Sequence, residues 1–270
     1  MIHSTAIIHP TVKLGKNVSV GAFCLIDADV SIGDNTVLES HVVVKGKTSI
    51  GKGNHIYQFA SVGEDCQDKK YAGEPTELIV GDNNIIRESV TIHRGTVQDQ
   101  GVTRIGSNNL LMCFVHVAHD CVIGDNSILA TGATLAGHVH IGNWVIMGGL
   151  TAAHQFCHIA DHSFIGGGAI ILADVPPFIM VGNNGEPRGI NSEGLKRRGF
   201  SSETIMQIKR AYKISPELDF RAVKTNFRSY VYPKAGEAER RINLLIELWQ
   251  DASAGSEVKS DSKNKRDQES

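Results

Sequence analysis

The sequence predicts an all-β solenoid, a β-helix of six-residue repeats, followed by a C-terminal α-helical region and a polar tail. Three observations carry this. Aliphatic residues recur every six positions, from Ile2 through Ile8, Leu14, Val20, Ile26 and Ile32 to Val62, and again from Ile105 through Leu111, Val117, Ile123 and Leu129 to Ile171. Glycine follows many of them, as at Gly15, Gly33, Gly51, Gly106, Gly124 and Gly142, where a tight corner would be hindered by a Cβ. Aromatic residues make up only 6% of the chain, which suits thin aliphatic rows better than a core filled by large rings. A period of six matches neither a helix nor a two-residue strand alternation, so successive hexads become the flat faces of a prism. Three faces make a coil of about 18 residues.

Composition narrows the function classes. A formal net charge of −2 over 270 residues predicts no nucleic-acid partner. The five cysteines form no C-x-x-C pair and are odd in number, which points to a reduced compartment. Residues 1–10 lack a basic and an apolar leader region, and no apolar run of about 18 residues could span a bilayer. The expectation is a soluble cytoplasmic protein without a transmembrane segment.

Residues 1–63 read as uninterrupted scaffold coils with polar residues at exposed corners. The rhythm breaks near 64–79, where Asp68 and Glu74 stand at positions that the phase reserves for aliphatics. That stretch must loop out, and loops on a rigid scaffold often carry function. A second protruding loop spans 94–104. Regular coils return from Ile105 to Leu172. Asp174-Val-Pro-Pro-Phe178 should end the rhythm, because consecutive prolines cannot donate to a ladder. With the linker that follows through Gly189, the β-helical domain occupies 1–190. A helical domain is expected over 191–251. Its first helix is capped by Ser201 with Ile205, Ile208 and Tyr212 on one face and ends at Pro216; later helices carry Leu218, Ala222 and Val223, then Ile242, Leu245, Ile246 and Trp249. Residues 252–270 have almost nothing to bury and read as a disordered tail.

The chemistry concentrates in Val115-His-Val-Ala-His-Asp120 and the histidines after it. Val117, Leu135 and Ala153 are one coil apart, so His119, His138 and His154 should share one wall, with His116, Gln155 and His158 beside them. Neutral imidazole is a natural general base near neutral pH, and His119 has Asp120 as its sequence neighbour. Neighbours on a strand point to opposite sides, so Asp120 can orient that ring only if a corner turns it. An open three-histidine zinc site is the alternative, and histidines merely filling exposed strand positions are a third reading. Lys196, Arg197, Arg198, Lys209, Arg210 and Lys213 form a basic patch, either a solvated face or a site for phosphates or an acidic carrier protein.

Several stretches together resemble one family. They are Gln67-Asp-Lys-Lys-Tyr-Ala-Gly-Glu-Pro75, Arg87-Glu-Ser-Val-Thr-Ile-His-Arg-Gly95, His116-Val-Ala-His-Asp120, Leu135-Ala-Gly-His138, His154-Gln-Phe-Cys157, Asp174-Val-Pro-Pro177 and Glu193-Gly-Leu-Lys-Arg-Arg-Gly-Phe200. They resemble the acyl-ACP–UDP-N-acetylglucosamine O-acyltransferases, which open lipid A biosynthesis. The resemblance runs from the start of the chain to about Lys213. It implies a left-handed parallel β-helix, an exception to the right-handed crossover rule, assembled as a homotrimer with sites between subunits. It also implies transfer of an (R)-3-hydroxyacyl group from acyl carrier protein to the 3-hydroxyl of UDP-N-acetylglucosamine, with no metal or diffusible cofactor. His119 matches the family's general base and Gly137 its oxyanion amide. Gln67, Asp68 and Lys70 match the sugar-nucleotide site, and His116, His138, His154 and Gln155 match further positioning residues. Asn191, Glu193, Arg197 and Arg198 match residues near the nucleotide and carrier ends. The segment from Gly182 to Pro187 looks shortened and lacks a histidine frequent in the acyl groove, and Ser192 replaces a frequent aliphatic. Gly167, at a groove position, leaves room for a long acyl chain.

Three rivals remain at this point. An N-acyltransferase of a later glucosamine intermediate usually has an extra N-terminal domain, whereas this repeat begins at Ile2. A metal-dependent hydratase would bind zinc. A purely binding solenoid would show repetitive surface residues such as threonine ladders, and the sequence has none.

Overall fold

The computed structural model describes residues 1–214. The expected later helices, the stop at Pro216 and the 252–270 tail lie outside those residues. The chain forms two compact units, Met1–Asn191 and a second that begins at Ser192.

In the first unit, short strands build three sheets of nine, eight and ten strands, parallel throughout except for the last strand of the ten, and up to Phe164–Ile165 neighbouring strands of a sheet are three elements apart. One column runs Thr91, His116, Thr134, Ala152 and Ile170, mostly at eighteen-residue steps. This is a parallel β-helix. The six-step aliphatics point inward: Val117, Leu135, Leu129, Met147 and Ile165 are all fully buried. Only at the open N-terminal end does the row surface, with Ile2 52% exposed.

Corners hold the prism together in two ways. After every strand of the eight-stranded face but the last, a glycine lies against the next coil; a Cβ on Gly106 would sit 2.6 Å from the Gly124 carbonyl oxygen. Just beyond, a polar column runs inside the prism, starting in the 1–63 coils whose polar residues are expected at exposed corners. Asn109 Nδ2 donates to the Gly124 carbonyl at 2.8 Å, and its Oδ1 accepts the Ser127 N–H at 2.7 Å. Thr36, Asn54 and Asn84 continue the column toward the N-terminus. These residues are buried because each satisfies backbone groups that the tight corner cannot.

The coils also outlast Pro176 and Pro177. Val175 bridges to Ile159, and Ile179–Val181 pairs parallel with Phe164–Ile165. The expected linker is a strand, Pro187–Ile190, antiparallel to Ile179–Val181. The prolines sit between ladder positions, where no N–H is needed.

In the second unit, α1 (Ser192–Arg197) and α2 (Ser202–Ile214) are described. Ser201 caps α2, its hydroxyl accepting the Thr204 N–H at 3.0 Å. Ile205, Ile208 and Tyr212 are buried along one face.

Candidate active site

Everything that breaks the rhythm falls on one edge of the prism, where the nine-stranded face turns into the eight-stranded face. Two turns widen into excursions. Ser61 pairs with Thr91 thirty positions on, which puts 65–76 outside the coil, and 94–101 does the same in the next coil. The following corners hold His119 and Asp120, then Gly137 and His138, then Gln155 and Phe156.

Asp120, His138 and Phe156 occupy matching corner positions with φ of 57°, 62° and 67°. This left-handed turn cancels the alternation of an extended strand, so neighbouring side chains meet. His119 Nδ1 lies 2.9 Å from Asp120 Oδ2. The carboxylate only accepts, so Nδ1 carries the proton and Nε2 presents a lone pair. Asp120 is buried; Thr96 donates to it through its N–H at 2.8 Å and its hydroxyl at 2.6 Å. Burial opposes ionisation of Asp120, but the hydrogen bonds from His119 and Thr96 outweigh it and hold the carboxyl below its usual range.

Gly137 lies directly against the His119 ring. A Cβ there would be 2.5 Å from Cε1 and 2.6 Å from Nε2, so the ring can occupy this place only beside a glycine. The Gly137 N–H has no hydrogen-bond partner among the described residues.

The expected wall of three imidazoles is corrected. His138 meets His119 edge-on at 5.0 Å, but its other neighbour is Phe156, stacked at 4.5 Å and 10°. His154 falls one place earlier in its corner and its Nδ1 faces the Gln155 carbonyl at 3.2 Å. The intervals from 119 to 138 and from 138 to 154 bracket the coil length without equalling it, so the three rings do not stack. Gln155 takes the corner position that Gly137 and His119 hold in earlier coils. His158 is elsewhere, on the eight-stranded face, against His140 at 4.3 Å. His116 stands on the strand His116–Val117, its Nδ1 2.7 Å from Thr91 Oγ1. Burial, with His93 close by, lowers its pKa.

Gln67, Asp68 and Lys70 are exposed on the first excursion. Asp68 Oδ1 accepts the Lys70 N–H at 3.0 Å, and among the described residues no hydrogen bond or ion pair joins these three to the histidines. The excursion is nonetheless fixed, because buried Arg94 donates to the Gly63 carbonyl, to Asp65 and to the Tyr71 hydroxyl. Gly167 lies on a different edge, between the ten- and nine-stranded faces. A Cβ at Gly167 would meet the Gly149 carbonyl oxygen at 3.3 Å, leaving a shallow open surface without one. Asn191 ends the first unit; it is buried and its Nδ2 donates to the His162 carbonyl at 2.9 Å. In the second unit Glu193 pairs with Lys196 at 2.9 Å, Arg197 is exposed and Arg198 half-buried.

Among the described residues, His119, Asp120 and His138 have donor atoms within 4.8 Å of one another, the set a cation would need. Both Nδ1 atoms already face carboxylates, His119 toward Asp120 and His138 toward Asp99, while Thr96 fills Asp120. That arrangement suits proton handling better than an open metal site. Cys121 follows Asp120 but is no nucleophile, because burial pushes its thiol up to about 12. The sequence singles out neither Thr96 nor Asp99, and it assigns no role to Arg94 and Phe156 within the motifs that contain them. The second loop was visible, but its partners lie 24 and 39 positions away, at Asp120 and His138.

Comparison with known proteins shows what the whole chain is similar to. Residues 174–231 match the family described as Udp N-acetylglucosamine O-acyltransferase, domain 2, and residues 103–137 match the bacterial transferase hexapeptide family. An acyl-[acyl-carrier-protein]–UDP-N-acetylglucosamine O-acyltransferase of Herminiimonas arsenicoxydans is 57% identical over 215 residues, covering 79% of this chain and 82% of that protein. Among solved structures, LpxA from Acinetobacter baumannii is 49% identical with a TM-score of 0.80, covering 91% of this chain and 96% of that one. The UDP-N-acetylglucosamine O-acyltransferase of Moraxella catarrhalis is 44% identical, also with a TM-score of 0.80, covering 93% and 96%. The fold is thus the left-handed parallel β-helix. With these identities spread over most of its length, the chain belongs to the acyl-[acyl-carrier-protein]–UDP-N-acetylglucosamine O-acyltransferase family.

Proposed function

We propose that this chain transfers an (R)-3-hydroxyacyl group from acyl carrier protein to the 3-hydroxyl of UDP-N-acetylglucosamine, the first step of lipid A biosynthesis, by direct attack. The observation that carries the mechanism is the His119–Asp120 pair set against Gly137. His119 Nε2 takes the proton of the sugar hydroxyl as its oxygen attacks the thioester carbonyl. Asp120, kept ionised against its burial by the hydrogen bonds from His119 and Thr96, holds the tautomer and stabilises the imidazolium that forms. The unpartnered Gly137 N–H donates to the tetrahedral oxyanion, typically worth about 3 kcal/mol. On collapse the carrier thiolate leaves and recovers the proton from His119. The high thiol pKa of buried Cys121 and Cys157 favours this route over a thioester on the enzyme. The donor is already activated, so the reaction calls for no cofactor.

In this reading Gln67, Asp68, Lys70, His116, His138, His154 and Gln155 position the sugar nucleotide. Asn191, Glu193, Arg197 and Arg198 serve the nucleotide and carrier ends, and Gly167 opens the groove to a long acyl chain. His119 and Gly167 stand on different edges of one prism, so a groove containing both needs a neighbouring copy. The edge of Gly167 also exposes Phe23, Phe59, Phe114 and Leu150 at 61–75%, all at left-handed corners. A homotrimer with sites between subunits would cover that strip. Five free cysteines suit the reducing cytoplasm. No helix among the described residues is long and apolar enough to cross a membrane.

Purified protein offered UDP-N-acetylglucosamine and 3-hydroxyacyl carrier proteins of graded length should yield a monoacylated UDP-sugar by mass spectrometry. Its mass reports the preferred chain. No product with any donor overturns the assignment.

A further inference from the structure

The 94–101 excursion delivers a second carboxylate to the site. Asp99 Oδ2 lies 2.8 Å from His138 Nδ1, so a second imidazole–carboxylate pair stands beside His119–Asp120. Asp120 cannot serve both rings. His119 and the N–H and hydroxyl of Thr96 already use its oxygens, and His138 Nδ1 is 3.9 Å away, beyond hydrogen-bond range. Phe156 fixes the plane of the His138 ring by stacking but does not decide which nitrogen carries the proton. That choice falls to Asp99. Its position is not accidental, because Thr96 is tied to Asp120 and its carbonyl accepts the N–H groups of Asp99 at 3.3 Å and Gly101 at 2.9 Å. One turn therefore braces both pairs.

Among the described residues His138 Nε2 has no partner, although the side chain is only 15% exposed. An unpartnered ring nitrogen next to the base is placed to be satisfied by a ligand. We infer that Asp99 is a positioning residue that locks His138 as the Nδ1–H tautomer, so that Nε2 accepts a hydrogen bond from a sugar hydroxyl of the acceptor substrate. This rests on the transferase reading above. Pairing an exposed carboxylate adds little to stability, so the consequence lies in substrate binding.

Two measurements test it. In the transfer assay, Asp99→Ala should raise KM for UDP-N-acetylglucosamine about tenfold, the loss of one oriented hydrogen bond, while kcat changes little. Asp99→Asn, whose amide oxygen still accepts from Nδ1–H, should restore most of the affinity. In a His138→Ala background, Asp99→Ala should add nothing. Separately, imidazole nitrogen NMR of the full chain should show His138 as Nδ1–H in the parent and a tautomer mixture in Asp99→Ala. An unchanged KM, effects of the two substitutions that multiply, or the same tautomer in both proteins would overturn the inference. A parent protein that makes no acylated sugar sinks the transferase reading, and the tautomer measurement then decides the Asp99 role by itself.

Discussion

Two edges of the prism are built from the same backbone corner and put it to opposite uses. On the edge leaving the eight-stranded face, nearly every coil repeats a glycine, an Asp, Asn, Ser or Lys whose N–H is held by the next coil, and a buried polar residue inside. On the edge entering that face, no two consecutive corners from Glu64 to Cys157 are alike. The first edge bonds coil to coil through these repeated groups. The second leaves groups unspent, the His119 Nε2, the Gly137 N–H and the His138 Nε2, and these can act on a ligand. Repetition here marks the scaffold, and its failure marks the chemistry.

The sharpest break in this contrast comes from the base itself. His119→Ala should lower turnover about 10²–10⁴-fold, as expected for removing a general base, in a protein that stays folded at the assay temperature. Near-parent turnover would remove His119 from the mechanism.

Next is a matched pair of glycines. Gly137→Ala puts a methyl against the His119 ring, and displacing a base by about 1 Å can cost about a hundredfold in rate. Gly106→Ala meets the Gly124 carbonyl instead and should cost about 1–3 kcal/mol of stability as overpacking, with turnover of the folded protein near that of the parent. Rate assays and thermal melts of both variants suffice. If Gly106→Ala loses as much turnover as Gly137→Ala, the two edges are not functionally distinct.

The sequence revealed the inward rows because burial acts on each hexad separately, so every coil repeats the same constraint. It revealed His119 and Asp120 as residues, while their contact waited on a left-handed corner at Asp120 that a strand alternation does not foretell. The polar column stayed hidden because Asn84, Asn109 and Ser127 have the composition of surface turns, and only the three-dimensional corner shows the carbonyls they serve. Thr96 and Asp99 stayed hidden because an excursion has no period from which to count. His158 was misplaced because four residues past His154 is already the next face.

The polar column makes a prediction confined to the scaffold edge. Asn109→Ala strands the Ser127 N–H and the Gly124 carbonyl in a buried corner, at about 1–3 kcal/mol for each unsatisfied group. The melting temperature should fall while turnover well below it stays unchanged. A melting temperature equal to that of the parent would mean the column contributes nothing.

The smallest effect concerns acid. The folded pKa of Asp120 is lowered, by His119 and Thr96 acting against burial, relative to about 3.9 in an unfolded chain. A depressed carboxyl binds fewer protons folded than unfolded, so its stabilisation is complete above the unfolded value and disappears as pH falls through the folded one. Asp120→Asn should therefore be less stable than the parent at pH 7, and the gap should narrow on acidification below about pH 4. Urea unfolding midpoints at fixed protein concentration, taken from pH 7 down to pH 3, read this directly. A gap that stays constant across the range would mean the carboxyl is not held by those partners in the native state, and the link from the 94–101 loop to the His119 pair would be lost with them.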